Sequence, residues 1–419
     1  MPLSLGSPSA SLVSDEDLRL AVRKWLRQTL PAQWVQAVEA GDRETISSLR
    51  RQFDARRWAR ELGDAGLATP TWPAEYGGLG LSKKQAVIVF EELDALAAPP
   101  TPNPIGADTA GPVLLEFGTP SQKQRYLKRM AAQEDFWCQL LSEPGAGSDL
   151  AGLGLRAVRK DGGWILNGQK VWSSLAHLCQ YGLCFARSNV DVPKHDGITA
   201  FVVDMSAPGI EVRPLRQMTG DSDFNEVFFT DTYLPDEQRV GPVDGGWKVA
   251  RYVLAGGRGI ARGKTGMKGG VPARSIESVL NHYAQVDDAE QRLRLTELWI
   301  EQRIAELIYV RNAERQTAGV ASPSEGSIAK VFSTESVKRV HSLLMNLDGI
   351  NSMVHSAEDE WAVKSAWMFF RVQGKTISGG ANEIQRNIIA ERVLGLPREK
   401  PADEGMAWKD IPRSARSGG

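Results

Sequence analysis

The 419-residue chain is first defined by what it has little of. It holds three cysteines, Cys138, Cys179 and Cys184, with no CxxC pair among them. An odd count of thiols in apolar surroundings gives no disulfide framework. It reads as small buried hydrophobes in a reducing compartment, which predicts a cytoplasmic location. The five histidines (His177, His195, His282, His341 and His355) are scattered and form no metal-ligand set. No apolar run reaches 18 residues, so no membrane-spanning helix is expected. Neither sign of charge dominates. The 50 Lys and Arg against 51 Asp and Glu leave a net −1, too little to draw nucleic acid or anionic lipid. The opening MPLSLGSPSASLVSDEDL lacks the basic start and apolar core of a secretion signal. No GxGxxG follows a strand, which argues against a Rossmann-type dinucleotide fold.

What is present falls into segments. Residues 1–13 read as a disordered lead-in. Ser14 is a candidate N-cap, followed by Asp15, Glu16 and Asp17 in a first helical turn. Helical periodicity recurs in ARRWARELGDAGL, SKKQAVIVFEELDAL and SQKQRYLKRMAAQ, separated by Pro- and Gly-rich breaks, so 14–136 reads as an α-helical domain. From 137 to 243 the period becomes two. GWILNGQKVWSS, YGLCFARS, GITAFVVDM, GIEVRPL and NEVFFTDTYLP are strand-like, which predicts a small antiparallel barrel or sandwich. From 244 to 397 long amphipathic helices return, the longest near 289–319, and predict a four-helix bundle that doubles as an oligomer core. Residues 398–419 read as a loose polar tail. The fold class is therefore α+β.

Two strings carry chemistry. In SEPGAGSD (142–149), Gly145 and Gly147 allow tight turns, and successive backbone N–H groups with the Ser142 and Ser148 hydroxyls can cradle an anion. Taken alone, an unliganded glycine hairpin explains the same string. In GQKVWSS (168–174), alternation places Lys170, Trp172 and Ser174 on one face, and a Trp there can pack on a flat ring. Taken in isolation, an ordinary half-buried strand with a core Trp explains that string better. Phe136, Cys138 and Leu140 alternate just before the first loop and are expected to line the same cleft.

Taken together, QLLSEPGAGSDLAG, GQKVWSS, MTGDSDFNEVFFTDTYLP (218–235), KTISGGANEIQRNIIAERVLGLPRE (375–399) and WPAEYGGLGLS (72–82) resemble the acyl-CoA dehydrogenase family, in the right order over roughly residues 15–399. The resemblance implies FAD as cofactor, an acyl-CoA substrate and an electron-transfer flavoprotein as acceptor. It also implies a homo-oligomer or a heteromer with a related subunit. It places Cys138, Leu140, Ser142, Gly147, Ser148, Trp172, Ser174, Thr376, Gly379, Gly380 and Glu383 at the cofactor, and Ser148 and Arg258 at the substrate. Asp223 and Asn225 fall at turn positions.

The implied reaction abstracts an α-proton while a hydride leaves the β-carbon for the flavin, and a carboxylate is the usual base. Relatives carry that carboxylate at one of two places, which here hold Gly379 and Gly257. The neighbourhood of the second, AGGRGIARGKTGMKGG, is glycine-rich where relatives have a plain helix, and it lacks the order of a phosphate loop. The usual Thr-Ser after the glycine pair is Ala381-Asn382. The basic and aromatic cluster by which many relatives reach a neighbouring subunit's FAD has no counterpart in PARSIESVLNHYAQ. Glu226 and Asp244 are candidate replacement bases by position in the chain only. Three readings stay open: a dehydrogenase with its base elsewhere, a degenerate subunit of a heteromer, and a monooxygenase or desulfinase of the same fold.

Overall fold

The computed structural model describes residues 14–101, 104–256, 276–320 apart from 285 and 287, 324–353 and 360–412. Gly257 and Arg258 lie outside them. The chain forms two compact units, one of residues 1–215, 223–269 and 402–419, the other of 216–222 and 270–401.

The first unit opens with helices α1 (Asp15–Thr29), α2 (Ala32–Ala40), α3 (Arg43–Arg51), α4 (Ala55–Asp64), α5 (Lys83–Ala95), α6 (Gly111–Phe117) and α7 (Pro120–Ala131). Their starts follow from local chemistry. The Ser14 hydroxyl accepts the Asp17 N–H at 3.1 Å. Ser82 with Gln85, and Thr119 with Gln122, form reciprocal capping boxes. Leu18, Val22, Trp25 and Leu26 make the buried stripe of α1 and meet Trp34 and Trp58 in one core.

Eight strands follow: β1 (Trp137–Leu140), β2 (Arg156–Lys160), β3 (Gly163–Ser174), β4 (Tyr181–Arg187), β5 (Ile198–Asp204), β6 (Ile210–Leu215), β7 (Phe224–Pro235) and β8 (Arg239–Val240). They make one sheet in the order β6-β7-β3-β2-β4-β5-β8, with β1 beside β4. The expectation of a purely antiparallel domain is corrected, because β1 runs parallel to β4 and β2 meets β4 in parallel at Arg156 and Arg187. The β2–β3 hairpin intervenes between β1 and β4, so they join by a crossover and not by a tight turn. β4 and β5 are buried on both faces. Leu183, Phe185, Ala200 and Val202 pack under α6, α7 and α8 (Gly246–Gly256), while Cys184, Ala186, Phe201 and Val203 fill the opposite core. All three cysteines are buried and none is in a disulfide, and burial pushes the Cys184 thiol up to about 12.

The second unit holds α9 (Ile276–His282), α10 (Ala289–Thr317), α11 (Glu325–Asp348), α12 (Glu360–Gln373) and α13 (Asn382–Arg392). α11 is its centre and packs against α10, α12 and α13. Residues 216–222 join this unit: Trp367 Nε1 donates to Asp221 at 2.6 Å and Arg371 to Gln217 at 2.5 Å. The tail differs from the expected loose end. Trp408 and Lys409 donate their N–H groups to Val192 and Val190 at 2.8 and 3.0 Å, which docks this stretch on the first unit.

Candidate active site

The loop 142–149 is a tight turn in which Glu143 and Ala146 exchange both backbone hydrogen bonds at 3.0 Å. The Val171 N–H donates to the Ser142 carbonyl at 2.8 Å and fastens the loop to β3. Beneath it, fully buried Lys170 donates from Nζ to the Leu141 carbonyl at 3.0 Å and to Glu143 Oε1 at 2.8 Å. Glu143 also accepts the N–H groups of Gly154 and Leu155 at 2.6 and 2.9 Å. The loop's own carboxylate is therefore committed to structure. Sequence reasoning missed this pair. Its signal was a Glu and a Lys standing one in each motif.

The outward side of the loop is open. A Cβ built at Gly145 or Gly147 would meet nothing within 4 Å. Among the described residues, the N–H groups of Gly147 and Ser148 have no partner. Ser142 is half-buried and Ser148 exposed. Free N–H groups, hydroxyls and bare backbone suit an anionic or carbonyl oxygen.

β3 does not keep a simple alternation. Its register against β7 shifts between Lys170 and Ser173, and Trp172 sits in that bulge with φ +58°. Its ring is 60% exposed, with its edge towards Phe224 at a centroid distance of 5.9 Å. The expected shared face of Lys170, Trp172 and Ser174 is corrected accordingly: Lys170 is buried, Trp172 exposed and Ser174 half-buried. Leu175 also has positive φ (+54°), and its N–H donates to the Asp223 carbonyl at 2.7 Å. Asn225 lies in a strand and not at the expected turn. It is fully buried in β7, donates to the Ser173 carbonyl at 2.9 Å and faces His177 Nδ1 at 3.0 Å, bracing the bulge.

Cys138 and Leu140 need a second correction. Both are fully buried in the sheet core, so their side chains do not line a cleft. Gln139 and Leu141 carry the partial exposure on the opposite phase.

In the second unit, Thr376 closes a short 3₁₀ turn, with its hydroxyl donating to the Gln373 carbonyl at 3.1 Å. Gly379 (φ +67°) and Gly380 (φ +90°) lead into α13. A Cβ at Gly379 would meet nothing within 4 Å, so the backbone angle and not space favours glycine there. Asn382 is buried and accepts from Lys330 Nζ at 2.6 Å and the Thr334 hydroxyl at 3.1 Å, while donating to Glu335 at 2.7 Å. Burial lowers the pKa of Lys330. Glu383 is exposed in the first turn of α13, 3.6 Å from Arg386.

Neither candidate replacement base is idle. Glu226 accepts from Gln169 Nε2 at 2.7 Å. Asp244 accepts from the Ser188 hydroxyl, and its N–H donates to Thr199 Oγ1 at 2.9 Å. Among the described residues no cluster could hold a metal ion, and no helix is long and apolar enough to cross a membrane.

An exposed aromatic platform beside a loop of free N–H groups fits a flat heteroaromatic ring and its phosphates, the class of a flavoprotein site. Comparison with known proteins identifies the family. The chain matches the acyl-CoA dehydrogenase N-terminal domain over residues 14–134, the middle domain over 138–232 and the C-terminal domain over 244–394. It is 38% identical to the acyl-CoA dehydrogenase IpdE1 of Mycobacterium tuberculosis over 392 residues, covering 92% of this chain and 98% of that one. It is 42% identical to FadE34 of the same organism over 80% of this chain but only 46% of that relative, about half its length. Among solved structures, the ChsE4-ChsE5 complex from Mycobacterium tuberculosis matches with 29% identity and a TM-score of 0.72, covering 92% of this chain and 98% of that one. A variant of the Tcur3481-Tcur3483 steroid ACAD matches at 25% and 0.72, covering 92% and 99%. The chain belongs to the acyl-CoA dehydrogenase family. It is an oxidoreductase of that family, and FAD is its cofactor.

Proposed function

We propose that the chain introduces an α,β double bond into an acyl-CoA thioester, in domains spanning 14–136, 137–243 and 244–397, in the cytoplasm. The observation that carries this reading is the Trp172 platform beside the open loop 142–149, both fastened by the buried Lys170–Glu143 pair. Bound FAD supplies the two-electron acceptor for the β-hydride. Ser142, Gly147, Ser148 and Ser174 would offer it hydrogen bonds, and the exposed indole of Trp172 would shield it from water. Thr376, Gly379, Gly380 and Glu383 hold its further contacts. Ser148 and Arg258 serve the acyl-CoA. An electron-transfer flavoprotein then takes the electrons.

The α-proton needs an acceptor, and neither Gly257 nor Gly379 can be one. A second reading is favoured by that double vacancy together with the likeness to the ChsE4-ChsE5 complex. In it, this chain is the base-deficient member of a heteromer and a related subunit carries the competent site. One experiment separates the readings. The purified chain, loaded with FAD, is titrated anaerobically with acyl-CoA while flavin absorbance is followed. Bleaching by the chain alone supports the first reading. Bleaching only after co-expression with a related subunit supports the second. Dependence on reduced flavin and oxygen would sink both in favour of monooxygenase chemistry. Gly257→Glu is expected to raise the bleaching rate by about 10²-fold or more, the usual worth of a general base. No change in a folded, FAD-loaded variant removes Gly257 as the base position.

A further inference from the structure

The C-terminal stretch 402–412 is anchored beside the loop of the proposed cofactor site and tied to it through Lys194. Its backbone pairs with the β4–β5 connection through Trp408 to Val192 and Lys409 to Val190, with an isolated bridge between Pro193 and Ala407. Lys409 adds an ion pair to Asp191 at 2.7 Å. The Trp408 indole N–H donates to the Gly152 carbonyl at 3.3 Å, and a Cβ at Gly154 would lie 3.5 Å from its ring. Under that ring lies the guanidinium of Arg187, 4.9 Å from the ring centroid and 1% exposed as a residue. Arg187 donates to the carbonyls of Ala151, Leu153 and Lys194 at 2.6 to 3.3 Å. Lys194 in turn bridges Asp403 of the tail at 2.7 Å and Asp149, the last residue of the glycine loop, at 3.0 Å.

These contacts converge on residues 149–155, and that segment is coupled directly to the site. The N–H groups of Gly154 and Leu155 are held by Glu143, the carboxylate paired with Lys170 under the loop. A displacement of residues 152–155 would therefore move Glu143 and, through it, the loop and β3. A buried guanidinium bonded to backbone carbonyls gains from an aromatic face above it, and Trp408 offers one.

We infer that the C-terminal stretch is a positioning strap for the FAD-binding loop, with Trp408 as its positioning residue and the Asp403–Lys194–Asp149 bridge as its second tie. This rests on the reading of 142–149 and Trp172 as the FAD site. The strap touches none of the reacting atoms. It sets the conformation in which Gly147 and Ser148 present their N–H groups. Its sequence gave no hint of this, because a Pro-, Gly- and charge-rich end reads as unpacked.

The test uses the full chain with four variants, Trp408→Ala, Trp408→Phe, Asp403→Asn and Trp172→Ala, each stripped of flavin and titrated with FAD. Hydrogen exchange at 149–155 is measured in parallel. Trp408→Ala is expected to weaken FAD binding about tenfold and to speed exchange at 149–155, with Trp408→Phe restoring most of both. Asp403→Asn, a milder change that keeps the ring, is expected to weaken FAD about two- to threefold and to make binding less sensitive to salt. If Trp172→Ala weakens FAD while Trp408→Ala and Asp403→Asn leave it unchanged, the strap is refuted and the site reading stands. If Trp172→Ala is silent as well, the site reading itself has failed, and the strap with it.

Discussion

Trp172 combines two features that stability alone would not select. It is a bulky residue at φ +58°, where an L side chain costs roughly 1–2 kcal/mol, and its ring is 60% exposed to water. The conformation persists because the bulge is braced from below by Asn225 on the Ser173 carbonyl and by the Asp223–Leu175 bond. Strain held in place beside a candidate ligand loop marks a residue kept for what it meets. Trp172→Gly should therefore act in opposite directions. Without flavin, the melting temperature should rise by about 1–3 °C, as φ +58° costs glycine little. FAD affinity should fall by tenfold or so with loss of the ring. Differential scanning fluorimetry of the flavin-free protein and a flavin titration decide it, and a fall in both quantities would refute the strained-platform argument. The same residue shows where sequence reading stops. The motif marks Trp172 and Ser174, but strict alternation then puts Lys170 on their face, and one bulge undoes that inference. Cys138 and Leu140 were misphased for a related reason. β1 is largely buried on both faces, so polarity along it gives no phase.

At the level of elements, the start of α1 was legible at Ser14, while the capping boxes of Ser82 with Gln85 and Thr119 with Gln122 are equally local chemistry that went unread. Strand direction was not legible, because a period of two is the same for parallel and antiparallel neighbours, and the parallel pairing of β1 with β4 could not be read for that reason. The ties between strands were equally invisible. Asp236 follows β7 and accepts from Trp164 Nε1 of β3 at 2.7 Å and from Arg239 of β8 at 3.0 Å. The Arg239 hydrogen bonds, helped by Trp164 and opposed by partial burial, pull its carboxyl from 3.8 to about 2. A carboxyl whose folded pKa is depressed stabilises the fold fully above its unfolded value and loses that contribution as pH falls through the folded one. The window here runs from about pH 4 down to about pH 2. Asp236→Asn should flatten the acid limb of the stability curve across that window and lower stability at neutral pH. Urea unfolding of both proteins at several pH values tests this, and parallel curves through the window would rule Asp236 out as a source of the slope.

On the scale of the molecule, α10 carries apolar residues on two opposed sides. Leu295 and Leu298 are buried, while Leu293, Ile300, Ile304 and Leu307 are 40–61% exposed. At 100° per residue these four fall within about 60° of one another, roughly opposite the buried pair. One long helix thus has a face packed in its own unit and a second apolar stripe left exposed, and we propose that another subunit covers it. The periodicity that predicts this helix from sequence cannot say which stripe faces inward, so the oligomer was expected but its surface was not assigned. Leu307, the most exposed of the four, is the sharpest probe. Leu307→Glu puts a charge into the stripe without touching Leu295 or Leu298, so the helix should keep its own packing. Light scattering after gel filtration should show the wild-type chain in an assembly, at a multiple of its 45.8 kDa mass alone or at the summed mass of both chains when co-expressed with a related subunit, and the variant at the single-chain mass. Circular dichroism should be unchanged. If the variant keeps the wild-type mass, the stripe is not the interface. If the wild-type chain is monomeric alone and assembles only with a related subunit, the interface is heteromeric. The base-deficient reading would then gain, because a site lacking a carboxylate at both Gly257 and Gly379 would be found only in the company of a second chain.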